Sequence, residues 1–240
     1  MQAVILAGGL GTRLWPLTKT VPKPMVPVAG VPYLEHQLRL LKKQSILNIL
    51  LLTGYLGEQV EEYFGDGGSL GLAIRYSRED RPCGTAGALR DARSLLADTF
   101  LLIYGDSYLP IHYPAVYQRL ESSGAQGLVV VYDNRRGDTS VKNNIDVDDA
   151  GFVTVYEKDS GRVLSYVEAG VLAFRKSCLG LIPPAGAVSL EKEIFPLLIA
   201  KRQLAAHITQ QRFYDIGTAE RLKAIEEFLA HDHHTNTISN

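Results

Sequence analysis

Short apolar runs alternate with helical periodicities through the first half of the chain. Val4-Ile5-Leu6 predicts a buried strand that ends in Gly8-Gly9. Leu34, Leu38 and Leu41 recur at i, i+4 and i+7 and predict a helix with one apolar face. Asn48 to Thr53 reads as a second strand closed by Gly54, and Glu58 to Phe64 as a short helix stopped by Gly65. Leu72 to Ser77 is a third strand. Thr85 to Leu96 is helical, with Leu89, Ala92 and Leu96 on one side, and Phe100 to Tyr104 is a fourth strand ending at Gly105-Asp106. Continuous apolar strands alternating with helices mean a largely parallel sheet covered on both faces. Such sheets take ligands at the carboxyl ends of their strands, which here carry Gly8-Gly9, Gly54 and Gly105-Asp106.

The second half is less regular. Leu128 to Tyr132 and Ala169 to Phe174 read as strands. Asn144 to Val147 and Val153 to Glu157 read as a hairpin turning at Asp148-Asp149-Ala150-Gly151. Leu190 to Ala200 is helical, with Pro196 expected to kink or divide it. Thr218 suits the N-cap of a last helix with Leu222, Ile225 and Phe228 inward. With no repeat and no linker, one domain over 1–230 is expected, with lobes of about 1–110 and 111–230 and a frayed tail over 231–240.

Composition narrows the function classes. The 240 residues carry 25 Lys+Arg against 26 Asp+Glu, a net charge of -1, so no strong basic field for nucleic acid is expected. No apolar run approaches the ~18 residues of a membrane span, and Ala3 to Ala7 is too short for a signal peptide. Cys83 and Cys178 lie far apart and suggest neither a disulfide framework nor a zinc site. A reduced, cytoplasmic enzyme or binding protein is the expectation.

The most informative segment is Gly8-Gly9-Leu10-Gly11-Thr12-Arg13-Leu14-Trp15-Pro16, followed by Pro22-Lys23-Pro24-Met25. Glycines after a buried strand let backbone N–H groups form a concave nest for phosphate oxygens, and Arg13 and Lys23 add cationic donors. The P-loop pattern is absent. The dinucleotide fingerprint fails because its third glycine would be Leu14. The whole string instead resembles the signature of the sugar-phosphate nucleotidyltransferases. The resemblance continues in family order through Pro27-Val28-Ala29-Gly30-x-Pro32, Gly84-Thr85-Ala86-Gly87-Ala88, Gly105-Asp106-Ser107, Glu157-Lys158 and Asp215-Ile216-Gly217-Thr218, and covers about residues 2–222. It implies transfer of a nucleoside monophosphate from a nucleoside triphosphate to a sugar 1-phosphate, with release of pyrophosphate. It also implies a Rossmann-like three-layer α/β/α fold with a mixed, mainly parallel central sheet and a smaller β-rich sugar-binding lobe. One such unit nearly consumes the chain, leaving no room for an appended acyltransferase or β-helix domain.

The resemblance assigns roles residue by residue. Leu6, Ala7, Gly8, Gly9, Gly11, Thr12, Arg13, Glu79, Gly84 and Thr85 would bind the nucleotide. Arg13 would neutralise the departing pyrophosphate, Lys23 would contact the reacting phosphates, and Asp106 with Asp215 would hold Mg²⁺. Lys158 would bind the sugar phosphate; Glu168 and Gly170 fall where relatives contact sugar hydroxyls. Glu191 reads equally as a hydroxyl acceptor or as part of a solvated helix face. The chemistry needs no general base, because a phosphate's second pKa is ~6. It needs alignment and charge neutralisation.

At Glu79 a carboxylate can accept from guanine N1–H and its 2-amino group, whereas uracil and thymine offer one donor; this favours GTP. Within the family, Glu79, Ser189-Leu190-Glu191-Lys192 and Phe213 to Thr218 most resemble the heptose 1-phosphate guanylyltransferases. Mannose-1-phosphate guanylyltransferases and hexose-1-phosphate uridylyltransferases share most of these features. Asp146-Val147-Asp148-Asp149 is similar to a glycosyltransferase metal motif, but its setting predicts a polar hairpin turn. His231, His233 and His234 belong to the tail reading. A non-catalytic nucleotide-sugar sensor is the competing class, and the paired metal carboxylates argue against it. No nucleic-acid or membrane partner is expected, and a homo-oligomer is admitted because relatives are often multimeric.

Overall fold

The computed structural model describes residues 1–158 and 161–237. The first half runs β1 (Gln2–Leu6), a two-residue hairpin of β2 (Pro27–Val28) and β3 (Val31–Pro32), α1 (Tyr33–Lys43), β4 (Asn48–Thr53), α2 (Gly57–Phe64), β5 (Ala73–Arg78), α3 (Gly84–Asp91) and β6 (Thr99–Tyr104). Then come β7 (Ser107–Tyr108), α4 (Tyr113–Ser123), β8 (Gly127–Tyr132), β9 (Ile145–Val147), β10 (Val153–Tyr156) and β11 (Val167–Arg175). The chain closes with α5 (Phe195–Ala200), β12 (Leu204–Thr209), β13 (Tyr214–Asp215) and α6 (Ala219–Thr237). The last helix enters the segment read from the sequence as a tail, of which 238–240 lie outside the described residues.

Seven strands form one sheet in the order β12-β8-β11-β6-β1-β4-β5. The pairs β1–β4, β1–β6, β4–β5 and β8–β12 are parallel, while β11 runs antiparallel between β6 and β8. The mixed, mainly parallel sheet expected from the sequence is therefore present, and β11 is the element that joins strands of the two halves.

Alternation along each strand builds the two outer layers. Ala3 and Ile5 face one layer with Leu34, Leu38 and Leu41 of α1, Val60 and Phe64 of α2, and Val116 and Leu120 of α4. Val4 faces the other with Ala86 and Leu89 of α3 and Phe195 and Leu198 of α5. A third, smaller cluster seats Ile225 and Leu229 of α6 on Leu14, Val28, Tyr33, Tyr108 and Ile216. That cluster ties the segment after the glycine loop to the β7–β13 pair.

Departures from the sequence reading have local causes. The predicted helix over 85–96 is cut at Asp91, and a separate tight turn spans Arg93–Leu95. The predicted helix over 190–200 divides into a wide turn over Leu190–Ile194 and α5, with Pro196 in the first turn of α5 where a missing N–H costs nothing. Helix α4 and strand β12 went unpredicted. In α4, Val116 and Leu120 mark an apolar side, but Ser122-Ser123 and Pro114 dilute the helical pattern. In β12, the run Leu204-Ala205-Ala206 lacks the branched side chains that mark a strand. The Asp146–Asp149 motif is a hairpin, as expected: Asp148 Oδ1 accepts from the N–H groups of Ala150 and Phe152. Among the described residues no helix is long and apolar enough to cross a membrane.

Leu38 is fully buried between α1 and the sheet. Leu38→Ala is expected to lower unfolding free energy by about 3 kcal/mol, read as a reduced urea midpoint at unchanged slope.

Candidate active site

A cavity of about 550 Å³ opens at the carboxyl ends of β1, β5 and β6. Its wall contains the whole predicted nucleotide set, Leu6 through Gly9, Gly11 to Arg13, Glu79, Gly84 and Thr85, together with Lys23, Asp106, Lys158 and Glu191. The structure thus gathers residues more than 170 positions apart in sequence around one space. Glu168, Gly170 and Asp215 do not line it.

The glycine loop leaves β1 at Ala7, whose N–H donates to Leu52 O at 2.8 Å. Among the described residues, the N–H groups of Gly8, Gly9, Leu10 and Gly11 donate to no protein acceptor. The loop closes when Leu14 N–H donates to Gly11 O at 2.9 Å and the Thr18 hydroxyl to the same oxygen at 2.8 Å. The result is a nest of free donors facing the cavity, the arrangement that suits phosphate oxygens. Arg13 is exposed on the same wall and enters none of the described ion pairs.

Asp106 follows β6, and Gly105 N–H anchors this turn to Leu6 O at 2.9 Å. Lys23 Nζ lies 2.5 Å from Asp106 Oδ2. Burial opposes ionisation of Asp106, but the Lys23 ammonium outweighs it, helped by Ser107 and Arg13, and holds the carboxyl below its ordinary value. Helix α1 braces the turn with side chains one helical turn apart. The Tyr33 hydroxyl donates to Asp106 O at 3.1 Å, and Gln37 Nε2 donates to Tyr104 O at 2.9 Å and Ser107 O at 2.6 Å. These two residues were not singled out from the sequence.

Asp215 reaches the same region through β13, which pairs with β7 so that Asp215 stands opposite Ser107, the neighbour of Asp106. Its Oδ1 accepts from Gly217 N–H at 2.6 Å, and Arg221 Nη1 lies 2.7 Å from Oδ2. Among the described residues no cluster of three or more metal-ligating side chains occurs. Two carboxylates, Asp215 on β13 and Asp106 just before its partner strand β7, are nonetheless a donor set that a hard divalent cation takes when phosphates and water complete its shell, and the residues present fit such a cation on those terms.

Glu191 is not on a solvated face. Thr85, Ser189 and Tyr104 donate to its carboxylate at 2.9, 2.7 and 2.7 Å, and Lys158 Nζ stands 3.9 Å away. Thr85 also accepts from Leu190 N–H at 2.8 Å. Burial opposes ionisation here too, but the bonds from Tyr104 and Ser189 and the Lys158 charge keep the carboxyl below its ordinary value. Glu191 therefore links the Gly84-Thr85 segment to Lys158, and its oxygens are already used by protein donors. Gly170 has a positive φ of 74°, and a Cβ there would fall 2.3 Å from the Ser107 side chain. It marks where β11 bulges past the residue beside Asp106.

Glu168 lies behind the cavity wall. Tyr156 donates to its Oε2, Asn144 Oδ1 accepts its backbone N–H, and Oε1 is buried with no partner among the described residues. Burial raises its pKa, Glu191 adds to the shift, and Lys158 and Tyr156 only partly offset it. A carboxyl with a raised folded-state pKa stabilises below its unfolded value and loses that contribution as pH rises through the folded value. Glu168→Gln is expected to keep the fold and to flatten the fall in stability with rising pH above about 4, measured by urea unfolding across pH.

The comparisons with known proteins agree with this geometry. A family model described as Nucleotidyl transferase matches residues 2–232. The mannose-1-phosphate guanylyltransferase of Mycobacterium tuberculosis is 34% identical over 224 residues, covering 92% of this chain and 62% of that protein. The mannose-1-phosphate guanylyltransferase catalytic subunit beta of Danio rerio is 35% identical over 232 residues, covering 90% and 61%. The chain thus spans about three fifths of the length of these relatives. HddC from Yersinia pseudotuberculosis, solved with GMP-PN, superposes with a TM-score of 0.77 at 27% identity, over 95% of this chain and 99% of that one. A putative glucose-1-phosphate thymidylyltransferase from Bacillus anthracis shares the fold, with a TM-score of 0.83 at 23% identity over 95% and 94% of the two chains. With the glycine loop, the Lys23–Asp106 pair and the Lys158–Glu191 pair around one cavity in that fold, the chain belongs to the nucleotidyl transferase family.

Proposed function

We propose that the chain transfers GMP from GTP to a manno-configured sugar 1-phosphate, releasing pyrophosphate. The observation that carries this reading is one cavity whose wall holds N–H donors without protein acceptors, Arg13 and Lys158 together. Two anions have a cationic group each, and no nucleophile–base pair is required, since the attacking phosphate is already ionised near neutrality. The names of the relatives favour mannose 1-phosphate as the acceptor. The heptose 1-phosphate expected from the sequence has the same ring configuration with a longer side arm, and is the competing substrate.

In this reading the Gly8–Thr12 backbone and Arg13 hold the triphosphate, and Arg13 neutralises the departing pyrophosphate. Lys23 contacts the reacting phosphates, and Lys158 orients the sugar phosphate for in-line attack. Asp106 and Asp215 would hold Mg²⁺, which supplies charge neutralisation at the phosphates when bound. Glu79 reads the base through Oε1, because Oε2 is taken by the N–H and thiol of Cys83 at 3.0 and 2.7 Å. Glu168 and Gly170 shape the acceptor side from behind the wall. The continuous seven-stranded sheet supports treating 1–230 as one unit with a nucleotide lobe and a sugar-phosphate lobe.

Pyrophosphate release with Mg²⁺, each of the four nucleoside triphosphates and mannose, heptose and glucose 1-phosphates tests the reading. GTP with a manno-configured acceptor is expected to turn over fastest. A preference for UTP would make the chain a uridylyltransferase, and binding without release across all pairs would make it a sensor. Asp106→Asn is expected to cut turnover by about 100-fold or more with an unchanged circular dichroism spectrum. Near-normal turnover in that variant would remove Asp106 from the mechanism.

A further inference from the structure

Cys83 is a buried residue at the start of α3 that the phosphate chemistry does not use. Its backbone N–H donates to Glu79 Oε2 at 3.0 Å and its thiol to the same oxygen at 2.7 Å. A carboxylate oxygen has about two lone-pair sites, so Cys83 fills Oε2. The other oxygen is pressed over the cavity loops. A Cβ on Gly8 would fall 3.0 Å from Oε1, and one on Gly54 would fall 2.8 Å from it. Glu79 itself is fixed at the end of β5 by its N–H to Thr53 O at 3.0 Å.

We infer that Cys83 is a positioning residue for base recognition: its N–H and thiol lock the Glu79 carboxylate so that Oε1 alone is presented to the nucleobase edge. This rests on the proposed role of Glu79 in reading the base. The terminal torsion of a glutamate is broad, so a carboxylate held by one donor turns readily, while one held by two donors on the same oxygen does not. The thiol is suited to the task. Burial, followed by the bond to Glu79 and the charge of that carboxylate, pushes its pKa up to about 12, so the S–H proton stays in place at neutral pH. Its own position is fixed as well. Val188 N–H donates to Cys83 O at 2.8 Å, and Gly87 packs against the thiol side chain, where a Cβ would lie 3.0 Å from the Cys83 Cβ. With Oε2 filled, the remaining oxygen can accept the adjacent N1–H and 2-amino donors of guanine as a shared acceptor. A base with a single edge donor uses it less fully.

Steady-state kinetics on the full chain test the assignment, with Mg²⁺, GTP and the preferred sugar 1-phosphate. Cys83→Ala and Cys83→Val remove the thiol donor, and valine leaves no cavity in its place. Both are expected to raise KM for GTP about tenfold, with kcat and the sugar-phosphate KM within about twofold of the parent. Cys83→Ser restores a donor and is expected to recover KM for GTP to within about threefold. A parent-like KM in the alanine and valine variants overturns the inference. So does a loss of kcat without a specific rise in KM for GTP, or a failure of serine to rescue. Glu79→Gln separates the two layers of the argument. If it leaves KM for GTP unchanged, base reading by Glu79 falls and Cys83 with it. If it raises KM for GTP while the Cys83 variants do not, only the positioning role falls.

Discussion

A half-buried carboxylate in a cavity wall depends on a cation to keep it charged and fixed. Here the cation is Lys23, 2.5 Å from Asp106. Much of the local fold serves that contact. Lys23 arrives on the loop after β1, and Asp106 arrives after the parallel neighbour β6. The two strand ends are joined by the Gly105–Leu6 hydrogen bond, and α1 clamps the turn through Tyr33 and Gln37. The hydrophobic packing of Leu34, Leu38 and Leu41 therefore does more than build a core, because it fixes the register of the two polar residues that brace Asp106.

The same economy links the two ends of the cavity. Glu191 comes from the segment before α5, and Thr85 comes from the first turn of α3. Their hydrogen bond, the bonds from Ser189 and Tyr104, and the nearby Lys158 make one network that ties the first turn of α3 to Lys158. Strand β11, paired with β6, carries Gly170 against the Ser107 side chain, so this strand also packs directly on the residue beside Asp106.

What was legible in the sequence follows from how local each signal was. Strands β1, β4 and β6 are continuous apolar runs, and the helix over Leu34 to Leu41 is periodic, so both read directly. The glycine loop and the residues at strand ends were legible because backbone approach demands glycine and strand ends carry ligands. Tyr33 and Gln37 were not, since their partners are 73 and 70 residues away and are backbone oxygens that no side-chain pattern reports. Glu191 was ambiguous for a similar reason: its donors come from positions 85, 104 and 189, which only the fold brings together.

Three carboxyls at this edge of the sheet show that burial alone does not decide charge. Glu168 is buried and Asp106 and Glu191 are partly so, which disfavours ionisation in each. Asp106 has an ammonium in contact, and Glu191 has three hydroxyl donors with an ammonium nearby, so both are held below their ordinary values. Glu168 accepts from Tyr156, its Oε1 has no hydrogen-bond partner among the described residues, and its value is raised. The two acids that line the cavity are thus stabilised as anions beside the cations that share its wall. The acid behind the wall gains least from being charged.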